Sequence, residues 1–174
     1  LEAVRELGGD DALPEPAFVA GHSLGEYTAL AAAGVLDFAT AVKLARERGR
    51  LMYDAGLEKP GTMAAVLGME EEALEEICSK AGVWIANINC PGQMVISGAV
   101  ADVEKAMEMA KEKGASRVVQ LQVSGAFHTP LMQPAVEGMT AVLAETSFLK
   151  PSIPVLGNTA AQAITEGSAV KDEL

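Results

Sequence analysis

Ala17-Phe18-Val19-Ala20-Gly21-His22-Ser23-Leu24-Gly25-Glu26-Tyr27 is the stretch whose pattern sets the fold. A short apolar run ends at a glycine, a serine stands two residues further on, and a second glycine follows at the same spacing. Small residues then continue to Ala33. A short apolar run bounded by turn residues predicts a buried strand. The alanine-rich run from Glu26 to Ala33 predicts a helix. Ser23 then sits on a tight strand-to-helix turn, the context in which G-x-S-x-G acts as a nucleophile elbow. Such a turn exposes the hydroxyl, its glycines let neighbouring backbone pass close, and the helix aims its N-terminal N–H groups where an oxyanion can form. The five-residue pattern alone is weak, and a turn whose serine merely caps the helix also fits it. The strand before it and the helix after it favour the nucleophile.

Outward from the turn, Gly34 stops the first helix and Asp37 caps a longer one that runs to about Ala55. Gly56 to Gly61 is a loop, and the rhythm then changes. Met63–Leu67, Val83–Ile88, Met94–Ser97 and Arg117–Val123 are predicted strands, while Glu70–Ala81 and Val100–Lys113 are predicted helices. Their order is β-α-β-β-α-β. After a loop at Ser124–Pro130 come a helix from about Leu131 to Glu145, a short strand at Ile153–Leu156, and Asn158 just past it. The outer pieces alternate strand and helix, so a mostly parallel sheet covered by helices is expected. The chain is thus α/β, with a large part over 1–60 and 124–174 and an insertion over 61–123.

The 174 residues are 49% apolar, enough for a core, and carry a formal charge of −11, which argues against a nucleic-acid partner. No apolar run approaches the roughly 20 residues of a membrane span. Cys78 and Cys90 have neither CxxC nor zinc-ligand spacing, so no metal is expected and a reducing compartment is the default. The ends look cut. There is no initiating Met, and Leu1, Val4 and Leu7 followed by Gly8-Gly9 read as the tail of a helix. Lys171-Asp172-Glu173-Leu174 spells an ER-retention address. It is set aside because no secretory signal is seen, and Ser168 is expected to cap a helix beginning there.

A serine nucleophile needs a base, and the chain has two histidines. His22 adjoins Ser23, and side chains at a strand end point to opposite faces, so His22 is expected to pack and shape the turn. His128, in a loop before Pro130, remains, either as the base or as a cap of the next helix. The helix from Asp37 carries Phe38, Ala41, Ala45, Arg48 and Met52 on one stripe, so Arg48 lies on an apolar face. Arg46 and Arg50, about 200° away, read as solvated. A guanidinium on such a face either pairs with an acid, snorkels outward, or clamps a substrate carboxylate.

These residues resemble the malonyl-CoA:acyl carrier protein transacylases and, more distantly, the acyltransferase domains of polyketide and animal fatty acid synthases. The matching stretches are Gly21–Tyr27, Arg48-Gly49, Met63–Gly68, Asn87–Gln93, Gly125–His128 and Ile153–Val155, in the family's order along nearly the whole chain. The resemblance implies an α/β-hydrolase-like large subdomain and a ferredoxin-like insertion. It implies Ser23 as nucleophile, His128 as its partner, and Arg48 as the grip on the malonyl carboxylate. Leu24 would supply an oxyanion N–H, and Met52 and Phe127 would stand with the substrate-binding residues, Phe127 matching the malonyl-selective form of its motif. Malonyl-CoA is then the substrate, acyl carrier protein the partner, fatty acid biosynthesis the pathway, and no cofactor is needed. The compartment is the cytoplasm, with an organelle as the alternative. The family's Gly-Gln-Gly oxyanion segment would precede Leu1, and the glutamine that orients the histidine would follow Leu174. The piece alone is therefore expected to lack one oxyanion donor, a loss worth about 10²–10³ in rate.

Two rivals stay open at this stage: a serine esterase or thioesterase on the same elbow, and a non-catalytic domain that binds carrier protein or coenzyme A. Lys111, Lys113 and Arg117 are a candidate docking patch, or simply a solvated helix end. Asn87 and Asn89 line a coenzyme A groove or cap turns.

Overall fold

The structure is a computed structural model and describes residues 16–174. The expected helix tail at Leu1, Val4 and Leu7 lies outside the described residues. In chain order the elements are β1 (Val19–Ala20), α1 (Gly25–Ala32), α2 (Phe38–Glu58), β2 (Gly61–Leu67), α3 (Glu71–Ala81), β3 (Trp84–Cys90), β4 (Gln93–Ala99), α4 (Val100–Glu112) and β5 (Arg117–Gln120). A 3₁₀ turn at Pro130–Met132 leads into α5 (Gln133–Ala144). Then follow β6 (Val155–Leu156), β7 (Ala163–Ile164), a second 3₁₀ turn at Gly167–Ala169, and α6 (Val170–Glu173). The chain forms two compact units, one running up to Glu47 and resuming at Thr140–Leu174, the other comprising Arg48–Met139.

In the first unit β1 pairs in parallel with β6, with Val19 opposite Val155 and Ala20 opposite Leu156, and β7 adds antiparallel to β6. The sheet is therefore mixed, in the order β1-β6-β7. The strand expected over 17–21 shortens to two residues and is only half-buried, with Phe18 51% exposed. Among the described residues β1 is an edge strand with β6 as its one neighbour. Asp37 caps α2 as expected: the Thr40 N–H and hydroxyl each donate to its carboxylate at 2.8 Å. Those bonds, the backbone one above all, hold the Asp37 carboxyl below its ordinary value. Phe38, placed on the apolar stripe by its spacing, is 80% exposed, because burial on α2 begins only at Ala41 and Leu44. Ser168 is not a cap either. It lies inside the second 3₁₀ turn, which has no side-chain cap, and α6 is a single turn.

The second unit carries the predicted β-α-β-β-α-β succession as β2-α3-β3-β4-α4-β5. The sheet order is β3-β4-β2-β5 and every pair is antiparallel. Alternate residues of the central strands, Ala64 and Val66 on β2 with Met94 and Ile96 on β4, face the helices. They meet Leu74, Ile77 and Ala81 of α3 and Val103, Ala106 and Ala110 of α4 in one core. The helical residues recur at intervals of three and four, which places them on one stripe. Gly82, at φ 82°, ends α3 in the left-handed conformation that suits glycine. The chain leaves this segment beside its point of entry, where the Leu121 N–H donates to the Met63 carbonyl at 2.8 Å.

Cys78 belongs to the same core, and burial, with Glu75 adding to it, pushes its thiol up to about 11. Cys90 is exposed. Because the thiolate is the reactive form, iodoacetamide at roughly pH 8 is expected to alkylate Cys90 and spare Cys78 until the protein is denatured, as peptide mass mapping would record.

Candidate active site

Ser23 stands at the end of β1 with φ 51°, left-handed backbone that a serine rarely adopts. For a non-glycine residue that conformation costs about 1–2 kcal/mol, and such strain persists where the surroundings enforce it. Four hydrogen bonds do so here. Gly25 N–H donates to the His22 carbonyl at 2.9 Å, Glu26 N–H to the Ser23 carbonyl at 3.1 Å, and Tyr27 N–H to the Leu24 carbonyl at 3.3 Å. Ser23 N–H donates to Asn158 Oδ1 at 2.9 Å. Every N–H from Ser23 to Tyr27 is thus committed, except that of Leu24, which meets no acceptor among the described residues. It lies at the mouth of α1, where the helix dipole favours negative charge. His22 does not pack as expected. It is exposed, and its part in the turn is the carbonyl that receives the Gly25 N–H.

Gly21 is fixed by close approach. A Cβ there would lie 1.9 Å from the Gly25 carbonyl oxygen, which is backbone and cannot swing aside. Gly21→Ala is therefore expected to open the turn at a cost of about 3 kcal/mol. A lowered melting temperature together with lost fluorophosphonate labelling of Ser23 would record it; labelling at the parent rate would contradict it.

His128 has φ 59° and is exposed, between buried Ala126 and buried Thr129. The cap of the following turn is Thr129, not His128. The Thr129 hydroxyl donates to the Ala126 carbonyl at 2.7 Å and accepts the Leu131 N–H at 3.2 Å. On α2 Arg48 is half-buried, whereas Arg46 and Arg50 are exposed, Arg50 with Asp54 at 2.7 Å. One turn on from Arg48, Met52 packs with Leu51 and Phe127 against Ala55, Met132 and Ala135. That apolar cluster ties the α2 segment bearing Arg48 to the loop bearing His128.

The predicted site residues fall in both units. Ser23 and Leu24 lie in the first with Asn158 and Glu26; Arg48, Met52, Phe127 and His128 lie in the second. Sequence reasoning missed Glu26 and Asn158 as parts of the elbow. Glu26 is only 5% exposed and accepts the Asn158 N–H at 3.0 Å. An acid in the first turn of an otherwise apolar helix was the available signal. Among the described residues no group of three or more His, Cys, Asp or Glu side chains is arranged to hold a metal ion, and no helix is long and apolar enough to cross a membrane.

Elsewhere, Lys111 pairs with Glu108 at 2.7 Å and Lys113 with Glu76 at 2.6 Å. Lys113 holds the Glu76 carboxyl below its ordinary value. Two of the three cations in the suggested docking patch are thus matched by acids. Asn87 and Asn89 lie on β3 rather than in a turn.

The chain is similar to several known proteins. The malonyl CoA-acyl carrier protein transacylase of Bacillus subtilis is 48% identical over 179 residues, covering 100% of this chain and 55% of that protein. The crystal structure of an acyl carrier protein S-malonyltransferase from Vibrio cholerae superposes with a TM-score of 0.90 at 43% identity, over 99% of this chain and 56% of that one. A malonyl-transacylase solved in complex with its type II polyketide acyl-carrier protein gives a TM-score of 0.91 at 36% identity, over 98% of this chain and 56% of that one. The chain spans about half the length of the relatives it matches. The model of the acyl transferase domain matches residues 4–172, a span that contains the strained Ser23 turn, Arg48 and His128, and the chain belongs to that family.

Proposed function

We propose that the protein containing this chain transfers malonyl from malonyl-CoA to the phosphopantetheine thiol of an acyl carrier protein, in fatty acid biosynthesis, through an ester on Ser23. The observation that carries this is the left-handed Ser23 at the mouth of α1, in a chain 48% identical to a transacylase of that name. His128 takes the hydroxyl proton as Ser23 attacks the thioester carbonyl. The Leu24 N–H faces the oxyanion that forms. The tetrahedral intermediate collapses, the coenzyme A thiol leaves with the proton from His128, and malonyl-Ser23 remains. Arg48 holds the malonyl carboxylate with two parallel hydrogen bonds, and Met52 and Phe127 stand beside the acyl group. The carrier thiol then gives its proton to His128 and attacks the ester, and Ser23 recovers its proton as it leaves. No cofactor takes part.

The subdomain reading belongs to the same proposal. An α/β-hydrolase-like part over 1–60 and 124–174 is supported by the parallel β1–β6 pair beside the elbow. A ferredoxin-like insertion over 61–123 is supported by the β3-β4-β2-β5 sheet with α3 and α4 on its core face. A cytoplasmic location is supported by the bacterial relatives and two free cysteines.

The test is intact mass spectrometry of the full-length protein after exposure to malonyl-CoA. A malonyl adduct on Ser23 that is discharged by holo carrier protein is expected. Discharge to free malonate at the same rate without carrier would make the protein a thioesterase, and no adduct at all would leave a binding domain.

A further inference from the structure

We propose that Asn158 is a positioning residue for Ser23, held in its working place by two carboxylates, Glu26 and Glu173. This rests on the assignment of Ser23 as the nucleophile. The parallel register sets Ala20 opposite Leu156, so the chain two residues past β6 comes beside the turn that follows β1. There the Asn158 amide oxygen accepts the Ser23 N–H at 2.9 Å. Since the partner is a donor, the oxygen and not the NH₂ of the amide must face it.

The loop that presents Asn158 is bonded at every N–H from 157 to 161. Gly157 N–H donates to the Gln162 carbonyl at 2.9 Å and Ala161 N–H to the Gly157 carbonyl at 3.1 Å. Asn158 N–H donates to buried Glu26 at 3.0 Å. Thr159 and Ala160 N–H both donate to Glu173 Oε1. A Cβ at Gly157 would lie 2.6 Å from the Glu173 carboxyl carbon, so glycine is what admits that carboxylate. Three consecutive N–H groups are therefore gripped by acids from two different helices, and the loop has little freedom to carry its side chain elsewhere.

The consequence falls on Ser23. Its hydroxyl direction and the orientation of the Leu24 N–H both follow from the Ser23 backbone torsions. Without an acceptor for its N–H, Ser23 loses a restraint that opposes relaxation out of φ 51°. Relaxation would turn the nucleophile and the oxyanion donor together, and misplacement by about 1 Å can cost on the order of 10²-fold in rate. Asn158 touches no reacting atom; it acts through the Ser23 backbone.

The experiment compares Asn158→Leu with Asn158→Asp in the full-length protein, with two probes of Ser23. One is the rate of malonyl-adduct formation over a range of malonyl-CoA concentrations. The other is the rate of labelling by a fluorophosphonate, which needs an activated serine but no malonyl group. Asn158→Leu is expected to slow the maximal rate of acylation by about 10–100-fold and the labelling in proportion, with the half-saturating malonyl-CoA concentration unchanged. Asn158→Asp, which keeps an oxygen acceptor, is expected to recover most of both rates. A purely structural residue would not separate these two variants. Should Asn158→Leu lose its cooperative melting transition, Glu26→Gln, which keeps an acceptor for the Asn158 N–H, is expected to outpace Glu26→Leu in both assays. Acylation of Asn158→Leu at the parent rate, or an Asp variant as slow as the Leu variant, overturns the proposal while leaving the transferase intact. Labelling that depends on Asn158 in a protein that never takes malonyl upholds the positioning role and removes the malonyl assignment. A Ser23 that accepts neither probe overturns both.

Discussion

Ser23→Ala in the full-length protein is expected to abolish the malonyl adduct and lower transfer to carrier protein by about 10⁴–10⁶-fold. The change removes the hydroxyl and nothing else in the turn. Ala keeps the Cβ, and the bond from residue 23 to Asn158 is made by the backbone N–H. Stability should therefore move by no more than about 0.5 kcal/mol. This makes the variant a clean measure of chemistry: thermal melting should superpose on the parent while single-turnover release of coenzyme A disappears. Appreciable release with the same melting curve would remove Ser23 from the mechanism.

The second large effect is one of selectivity. Arg48→Ala is expected to slow acylation by malonyl-CoA about 10²–10³-fold while acylation by acetyl-CoA stays within about threefold. Removing one partner of a desolvated charge pair costs about 2–5 kcal/mol, and acetyl offers no carboxylate to pair. Arg48 is half-buried on α2, so water does not fully replace the guanidinium. Its neighbours Arg46 and Arg50 are exposed and cannot reproduce its setting. Arg48→Lys should recover only part of the loss, because an ammonium lacks the planar fork that grips two carboxylate oxygens. Competition between the two acyl-CoAs, read as the ratio of adducts on Ser23, measures this directly. An equal loss on both would refute the clamp.

Much of this was legible in the residues. The succession β2-α3-β3-β4-α4-β5 announced itself because both periodicities are strong there. Val103, Ala106 and Ala110 keep helical spacing, and Ala64 and Val66 alternate on their strand. The elbow was legible because its geometry is enforced locally, by Gly21 and by hydrogen bonds between residues three apart. The first unit was harder. β7 has two residues, too few for any period, and β1 was expected longer and more buried than it is among the described residues. Phe38 matched the helical stripe yet lies before the point where α2 becomes buried. The bond between Ser23 and Asn158 spans 135 positions and depends on strand register, which local pattern does not carry. Nor does anything in Phe127-His128-Thr129 announce a left-handed histidine. Only the structure assigns the cap to Thr129 and so separates it from His128.

The hydrogen bond from Leu121 to Met63 has an evolutionary corollary. The polypeptide enters and leaves the four-stranded sheet one strand spacing apart, about 5 Å, a gap that a two-residue hairpin bridges. Every fully buried member of that sheet's core lies between Ala64 and Ala110, inside the excursion. A segment whose core lies within it and whose ends adjoin can be shortened or diversified without re-threading the chain on either side of it.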